Sequence, residues 1–144
     1  VAHFLISALS DAQVTIYGDG CQVRDILHVS DAIEAYLAAL NRIGDVKGQA
    51  FNLGGGPANA VSLLQVVRQI EHITAHRLHL VFREWRPGDQ RYYVSDTRKI
   101  SKALGVSFTR PWDHGVAALA QWLLTDRAVP LAPDQPATPA AALT

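Results

Sequence analysis

The 144-residue sequence predicts an α/β fold, and three observations carry that prediction. Short β-branched or aromatic runs alternate with apolar helical patterns. Two of the helical patterns open on an Asp or Ser followed three residues later by Glu or Gln, and glycine and proline punctuate the joints. Residues 1–10 read as the tail of a helix. Residues 14–17, Val-Thr-Ile-Tyr, have strand character and end on the turn signal Gly18-Asp19-Gly20. A second extended run is expected over residues 26–29. Asp31 with Glu34 then forms an expected capping box, after which Ile33, Tyr36, Leu37 and Leu40 recur at helical spacing as one buried face. Gly44 and Gly48 bracket the exit of that helix.

Residues 49–53 read as a short strand ending in Gly54-Gly55-Gly56 and Pro57. Ser62 and Gln65 make a second capping box, with Leu63, Val66, Val67, Ile70 and Ile73 facing inward. Residues 78–82 form a strand, 84–89 a loop held by Pro87 and Gly88, and 92–94 a further extended piece. Asp96 is the expected cap of a short helix ending at Gly105, and Pro111 opens a last helix with Val116, Leu119, Ala120 and Leu123 inward. The organisation is therefore one folded portion, residues 1–127, and a Pro/Ala-rich tail, residues 128–144, expected to be disordered. The chain starts without methionine and already inside an apolar helical pattern, which reads as a start in mid-protein.

Composition excludes several function classes. Lys plus Arg number 13 against 13 Asp plus Glu, so no surplus charge would draw the chain to nucleic acid or an anionic membrane. The apolar runs fall far short of the roughly 20 residues of a membrane span. Cys21 is the single cysteine, which allows neither an internal disulfide nor a thiolate zinc site, and a reducing, cytoplasmic setting is expected. His3, His28, His72, His76, His79 and His114 show no metal-ligand spacing, and no G-x-S-x-G elbow is present. No metal is expected.

Gly18-Asp19-Gly20 and Gly54-Gly55-Gly56 each supply the first two glycines of G-x-G-x-x-G, but Val23 and Asn59 stand where the third belongs. Turn glycines are the better reading of both. Arg24 and Arg86 lie beside strand ends, each followed by an acid, Asp25 and Asp89. A guanidinium fork matches a pair of phosphate oxygens and a carboxylate accepts from sugar hydroxyls, yet on residue types alone each pair reads more readily as a surface salt bridge.

Four stretches in order resemble the extended short-chain dehydrogenase/reductase family, the nucleotide-sugar epimerases and dehydratases: Ile16-Tyr17-Gly18-Asp19-Gly20, Gln22-Val23-Arg24-Asp25-Ile26-Leu27-His28-Val29, Phe51-Asn52-Leu53-Gly54-Gly55-Gly56 and Trp85-Arg86-Pro87-Gly88-Asp89-Gln90-Arg91. Within the family the stretches from Gln22 and from Asp89 look most like CDP-paratose (CDP-tyvelose) 2-epimerases. The resemblance implies an edge of the Rossmann sheet, including residues 51–53, plus the small α/β substrate-binding lobe. It implies Arg24 and Arg86 on the substrate pyrophosphate, Asp89 on the ribose, and Ile16 and Tyr17 beside the base, with the Tyr17 ring stacking.

The implied partner is a nucleotide sugar, CDP-linked, and the implied parent protein is a homodimer. The family lends a hydride to NAD and returns it to the opposite face of a transient keto sugar, with Tyr-x-x-x-Lys as acid/base pair. Four residues after Tyr17, Tyr36, Tyr92 and Tyr93 stand Cys21, Leu40, Asp96 and Thr97, so this chain is expected to hold substrate without turning it over, NAD being bound mainly by the amino-terminal half. A 4-epimerase, a 4,6-dehydratase and a non-catalytic nucleotide-sugar-binding module are the alternatives.

Overall fold

The computed structural model describes residues 1–125, so the expected tail at 128–144 lies outside the described residues. Helix α1 (Ala2–Leu9) leads through a turn to β1 (Val14–Tyr17) and β2 (Val23–Asp25). Helices α2 (Val29–Asn41) and α3 (Ile43–Val46) follow, then a single 3₁₀ turn (Pro57–Asn59) into β3 (Ala60–Ser62). The chain continues through α4 (Leu63–Thr74), β4 (Leu80–Arg83), β5 (Tyr92–Tyr93), α5 (Arg98–Leu104) and α6 (Trp112–Thr125). The strands form two small sheets. β1 pairs with β4 in parallel, Val14 opposite Leu80 and Tyr17 opposite Arg83. β2 lies between β3, antiparallel, and β5, parallel.

Two apolar clusters hold these elements. The larger gathers Leu5, Leu9, Val14, Ile16, Ile70 and Val116 where α1, β1, α4 and α6 meet. Helix α4 forms because Ser62 Oγ accepts from Gln65 N while Gln65 Oε1 accepts from Ser62 N, the expected capping box, and it buries Val66, Val67 and Ile70. The smaller cluster, Ala35, Val46, Ile100, Leu104 and Phe108, lies between α2 and α5. Gly105 ends α5 in the left-handed region, as its position predicts.

Several local expectations are corrected. The second strand is Val23–Asp25, not residues 26–29: from Ile26 the chain leaves the sheet, Ile26 N donating to Asn59 O. His28, not Asp31, caps α2, its Nδ1 accepting from Ser30 N at 3.1 Å. Asp31 is buried instead and, with Glu34, receives the Arg110 guanidinium from the loop before α6. Carboxylates three apart share a helix face, so the same spacing that suggests a capping box serves a two-pronged ion pair. The hydrogen bond from Arg110 holds the Glu34 carboxyl below its ordinary range, and the Arg110 guanidinium is raised by Glu34 and then by Asp31.

The inward face of α2 is Ala35 with Ala38 and Ala39, while Ile33, Tyr36, Leu37 and Leu40 point to solvent, Tyr36 being 68% and Leu40 66% exposed. Residues 49–53 have no strand partner among the described residues; they are held by Lys99 Nζ on Ala50 O and Asn52 Nδ2 on Asp96 O. Thr97 rather than Asp96 occupies the cap position of α5. Asp96 Oδ1 accepts from Arg98 N, and the hydrogen bonds from the Arg98 side chain bring its carboxyl down to about 2.

An exposed apolar stripe of this kind associates in water. Sedimentation velocity is therefore expected to show concentration-dependent self-association, reduced in Leu37→Glu/Leu40→Lys. A monodisperse wild-type chain at high concentration would show that the stripe needs no cover.

Candidate functional site

Ile16, Tyr17, Arg24, Arg86 and Asp89, which the sequence scatters over 74 positions, line one cavity of about 480 Å³. Gln22, Thr15, Leu63 and His3 complete much of its wall. A cavity of this size fits the range of small-ligand sites, roughly 300–1,000 Å³.

Each side chain arrives there for a local reason. β1 alternates, so Val14 and Ile16 turn into the larger cluster while the strand's end brings Tyr17 to the cavity. Beyond β1 the chain turns at Gly18, whose φ of +88° suits glycine, and Gly18 N donates to Arg83 O at 2.8 Å. The Trp85 ring is seated directly on Gly18, within 2.6 Å of where a Cβ would stand. Trp85 thereby fixes the start of the loop that carries Arg86 and Asp89, and Asp89 N closes that loop on Arg86 O. Arg91 lies over the Trp85 ring at 5.2 Å. On the other wall, Gln22 Nε2 donates to Tyr17 O at 2.8 Å and ties the end of β1 to the start of β2.

The two Arg–acid neighbours are not ion pairs among the described residues. Arg24 Nη1 folds onto Val23 O at 2.7 Å, whereas Asp25 points the other way and accepts from Gly56 N and Ser95 N. Asp25 is therefore not among the residues that line the cavity. Arg86 rests on the Tyr17 ring, 3.6 Å from its centroid, so one face of that ring is occupied by a cation. The cavity thus presents two guanidinium groups, one carboxylate and an aromatic ring, a set suited to a phosphorylated ligand with hydroxyls. Sequence reasoning missed Gln22 and Trp85 as supports; each sits within two residues of a motif arginine, which is the signal that could have found them.

The glycine loops are filled by protein. A Cβ on Gly54 would stand 2.4 Å from Asp25 Oδ2, and one on Gly55 2.1 Å from Ile26 O, so these glycines serve close packing. His28 caps α2, His76 Nδ1 lies 2.7 Å from Thr74 O, and His79 Nε2 lies 2.9 Å from Asp11 Oδ1. Among the described residues no group of three or more His, Cys, Asp or Glu is placed to hold a metal ion, and no helix is long and apolar enough to cross a membrane.

Residues 1–54 match the model of the NAD dependent epimerase/dehydratase family. CDP-paratose 2-epimerase of Salmonella typhi is 36% identical over 108 residues, a match covering 75% of this chain and 32% of that protein. dTDP-glucose 4,6-dehydratase of Xanthomonas campestris pv. campestris is 31% identical over 131 residues, covering 85% of this chain and 37% of the relative. The solved UDP-glucuronic acid 4-epimerase from Bacillus cereus, in complex with UDP-glucuronic acid and NAD, superposes with a TM-score of 0.76 at 28% identity, over 84% of this chain and 38% of that one. The fold and these similarities define the class: the chain belongs to the extended short-chain dehydrogenase/reductase family of nucleotide-sugar epimerases and dehydratases. It spans about a third of the length of the curated relatives it matches, in keeping with a carboxy-terminal portion of that fold.

Proposed function

We propose that this chain is the substrate-binding portion of an NAD-dependent nucleotide-sugar epimerase of the CDP-paratose 2-epimerase type. The observation that carries the reading is the convergence of Arg24, Arg86, Asp89, Tyr17 and Ile16 on one cavity. In this reading the two guanidinium groups grip the diphosphate, Asp89 accepts from the ribose, and Ile16 and Tyr17 flank the base. Arg86 then exchanges the Tyr17 ring for phosphate oxygens as the nucleotide enters. The packed glycine loops do not fit a dinucleotide, so NAD belongs to the rest of the protein. A cytoplasmic homodimer completes the reading, the exposed thiol of Cys21 suiting a reducing compartment.

Titration calorimetry of CDP, UDP and dTDP into the chain tests the proposal. CDP is expected to bind most tightly, and Arg24→Ala and Arg86→Ala are each expected to weaken it about 10- to 100-fold, the size of a lost charge-assisted hydrogen bond. Affinity unchanged in both variants, or no nucleotide bound at all, would refute it. A second reading, a 4-epimerase or 4,6-dehydratase, is favoured by the dTDP-glucose 4,6-dehydratase relative, which matches more of the chain. A preference for UDP or dTDP over CDP would select it.

A further inference from the structure

We propose that Asp25 is a positioning residue for the nucleotide cavity, acting through Arg24 by means of one carboxylate oxygen rather than by its charge. The inference rests on the reading of Arg24 as a diphosphate ligand.

Arg24 stands in the middle of β2, a strand of three residues flanked by a three-residue and a two-residue neighbour. So short a ladder gives β2 few backbone hydrogen bonds with which to hold its place. Beyond Asp25 the strand has no further pairing among the described residues, and the chain departs through Ile26 toward His28. Strand alternation sends Arg24 toward the cavity and Asp25 to the opposite side. There Asp25 Oδ2 accepts two backbone amides from distant segments, Gly56 N at 2.9 Å and Ser95 N at 3.1 Å. Gly56 precedes the turn into β3 and Ser95 follows β5, so a single oxygen ties together both chains that flank β2.

The oxygen is also boxed in. Gly54 approaches so closely that a Cβ there would lie 2.4 Å from Asp25 Oδ2 and 2.2 Å from Ser95 Oγ. Gly54 therefore packs against this oxygen with no room for a side chain of its own, and a carboxylate carried one methylene further would have to move against that backbone. The end of β2, and with it the direction in which Arg24 leaves the strand, is fixed by a bond the ladder does not supply.

The roles of shape and charge separate in two variants of the 144-residue chain. Asp25→Asn keeps an acceptor oxygen of the same reach and loses the charge; Asp25→Glu keeps the charge and overshoots by one methylene. Both are compared with wild type and Arg24→Ala by calorimetry with CDP and with cytidine, the ratio of the two affinities isolating the diphosphate contribution. Asp25→Asn is expected to retain the wild-type ratio. Asp25→Glu is expected to lower it about 10-fold or more, toward the Arg24→Ala value, while cytidine binding stays put. In the double variant Arg24→Ala/Asp25→Glu the ratio should fall no further than in Arg24→Ala, because the two act as one.

A ratio lost in Asp25→Asn and kept in Asp25→Glu would make charge the agent and overturn the inference, as would a ratio unchanged in both. Additive losses in the double variant would overturn it too. A wild-type chain that binds CDP no better than cytidine removes the diphosphate reading and this inference together. A wild-type preference for CDP with unaltered Asp25 variants removes only the inference.

Discussion

Gly55→Ala is expected to cost about 3 kcal/mol or more of folding stability, the upper end of what overpacking does. The added Cβ would stand 2.1 Å from the Ile26 carbonyl oxygen and 2.9 Å from Asn59 Cβ. Neither neighbour is a flexible side-chain tip. Ile26 N is bonded to Asn59 O, and Asn59 is itself buried, its side chain donating to Gly55 O and Arg110 O and accepting from Trp112 N. To make room, the backbone would have to shift where β2 ends and α6 begins. Because small domains are stable by only about 5–15 kcal/mol, urea unfolding followed by circular dichroism should show a large drop in midpoint. Gly44→Ala is the control. It lies inside α3 with nothing within 4 Å of its would-be Cβ, and alanine there should stabilise by about 0.5–1 kcal/mol. Equal effects from the two substitutions would mean that the glycine loop does not press against β2.

The second large effect is expected at Ile70, fully buried on α4 in the larger cluster. Ile70→Ala removes three carbons from a site walled by neighbouring helices, and about 2–5 kcal/mol is the range for such a cavity. Leu40→Ala removes as many carbons from a side chain that is 66% exposed on α2 and should change stability by less than about 0.5 kcal/mol. A loss at Leu40 as large as that at Ile70 would show that the outer face of α2 is covered in solution.

Much of the fold was legible because local chemistry decides it. The run from Val14 to Tyr17, the Ser62 and Gln65 capping box, the left-handed end at Gly105 and the helix after Pro111 all form where expected. Periodicity also found the apolar stripe of α2, but a period shows that a helix has two faces and not which face meets a neighbour. The spacing of Asp31 and Glu34 was ambiguous in the same way, since their partner Arg110 lies 79 positions from Asp31. For the site, composition left each Arg–acid pair open to a salt-bridge reading; the four motifs in order supplied the grouping. The motifs that hold Trp85 and Gln22 were legible, but their contacts, Trp85 on Gly18 and Gln22 Nε2 on Tyr17 O, come from tertiary packing.

The division of the apolar residues into two clusters has a dynamic consequence. The smaller, beneath a helix whose outer face is bare, buries less and can open while the larger stays closed, because stability is unevenly distributed in a folded chain. Its opening would loosen α2 and α5, yet the cavity walls at Ile16 and Leu63 belong to the larger cluster and would keep their shape. Polar fasteners tie the two regions together, Asp25 to Ser95 and Asp31 to Arg110 among them. Breathing on the α2 side would thus reach the cavity as a change in where Arg24 points, not as a collapse of its walls.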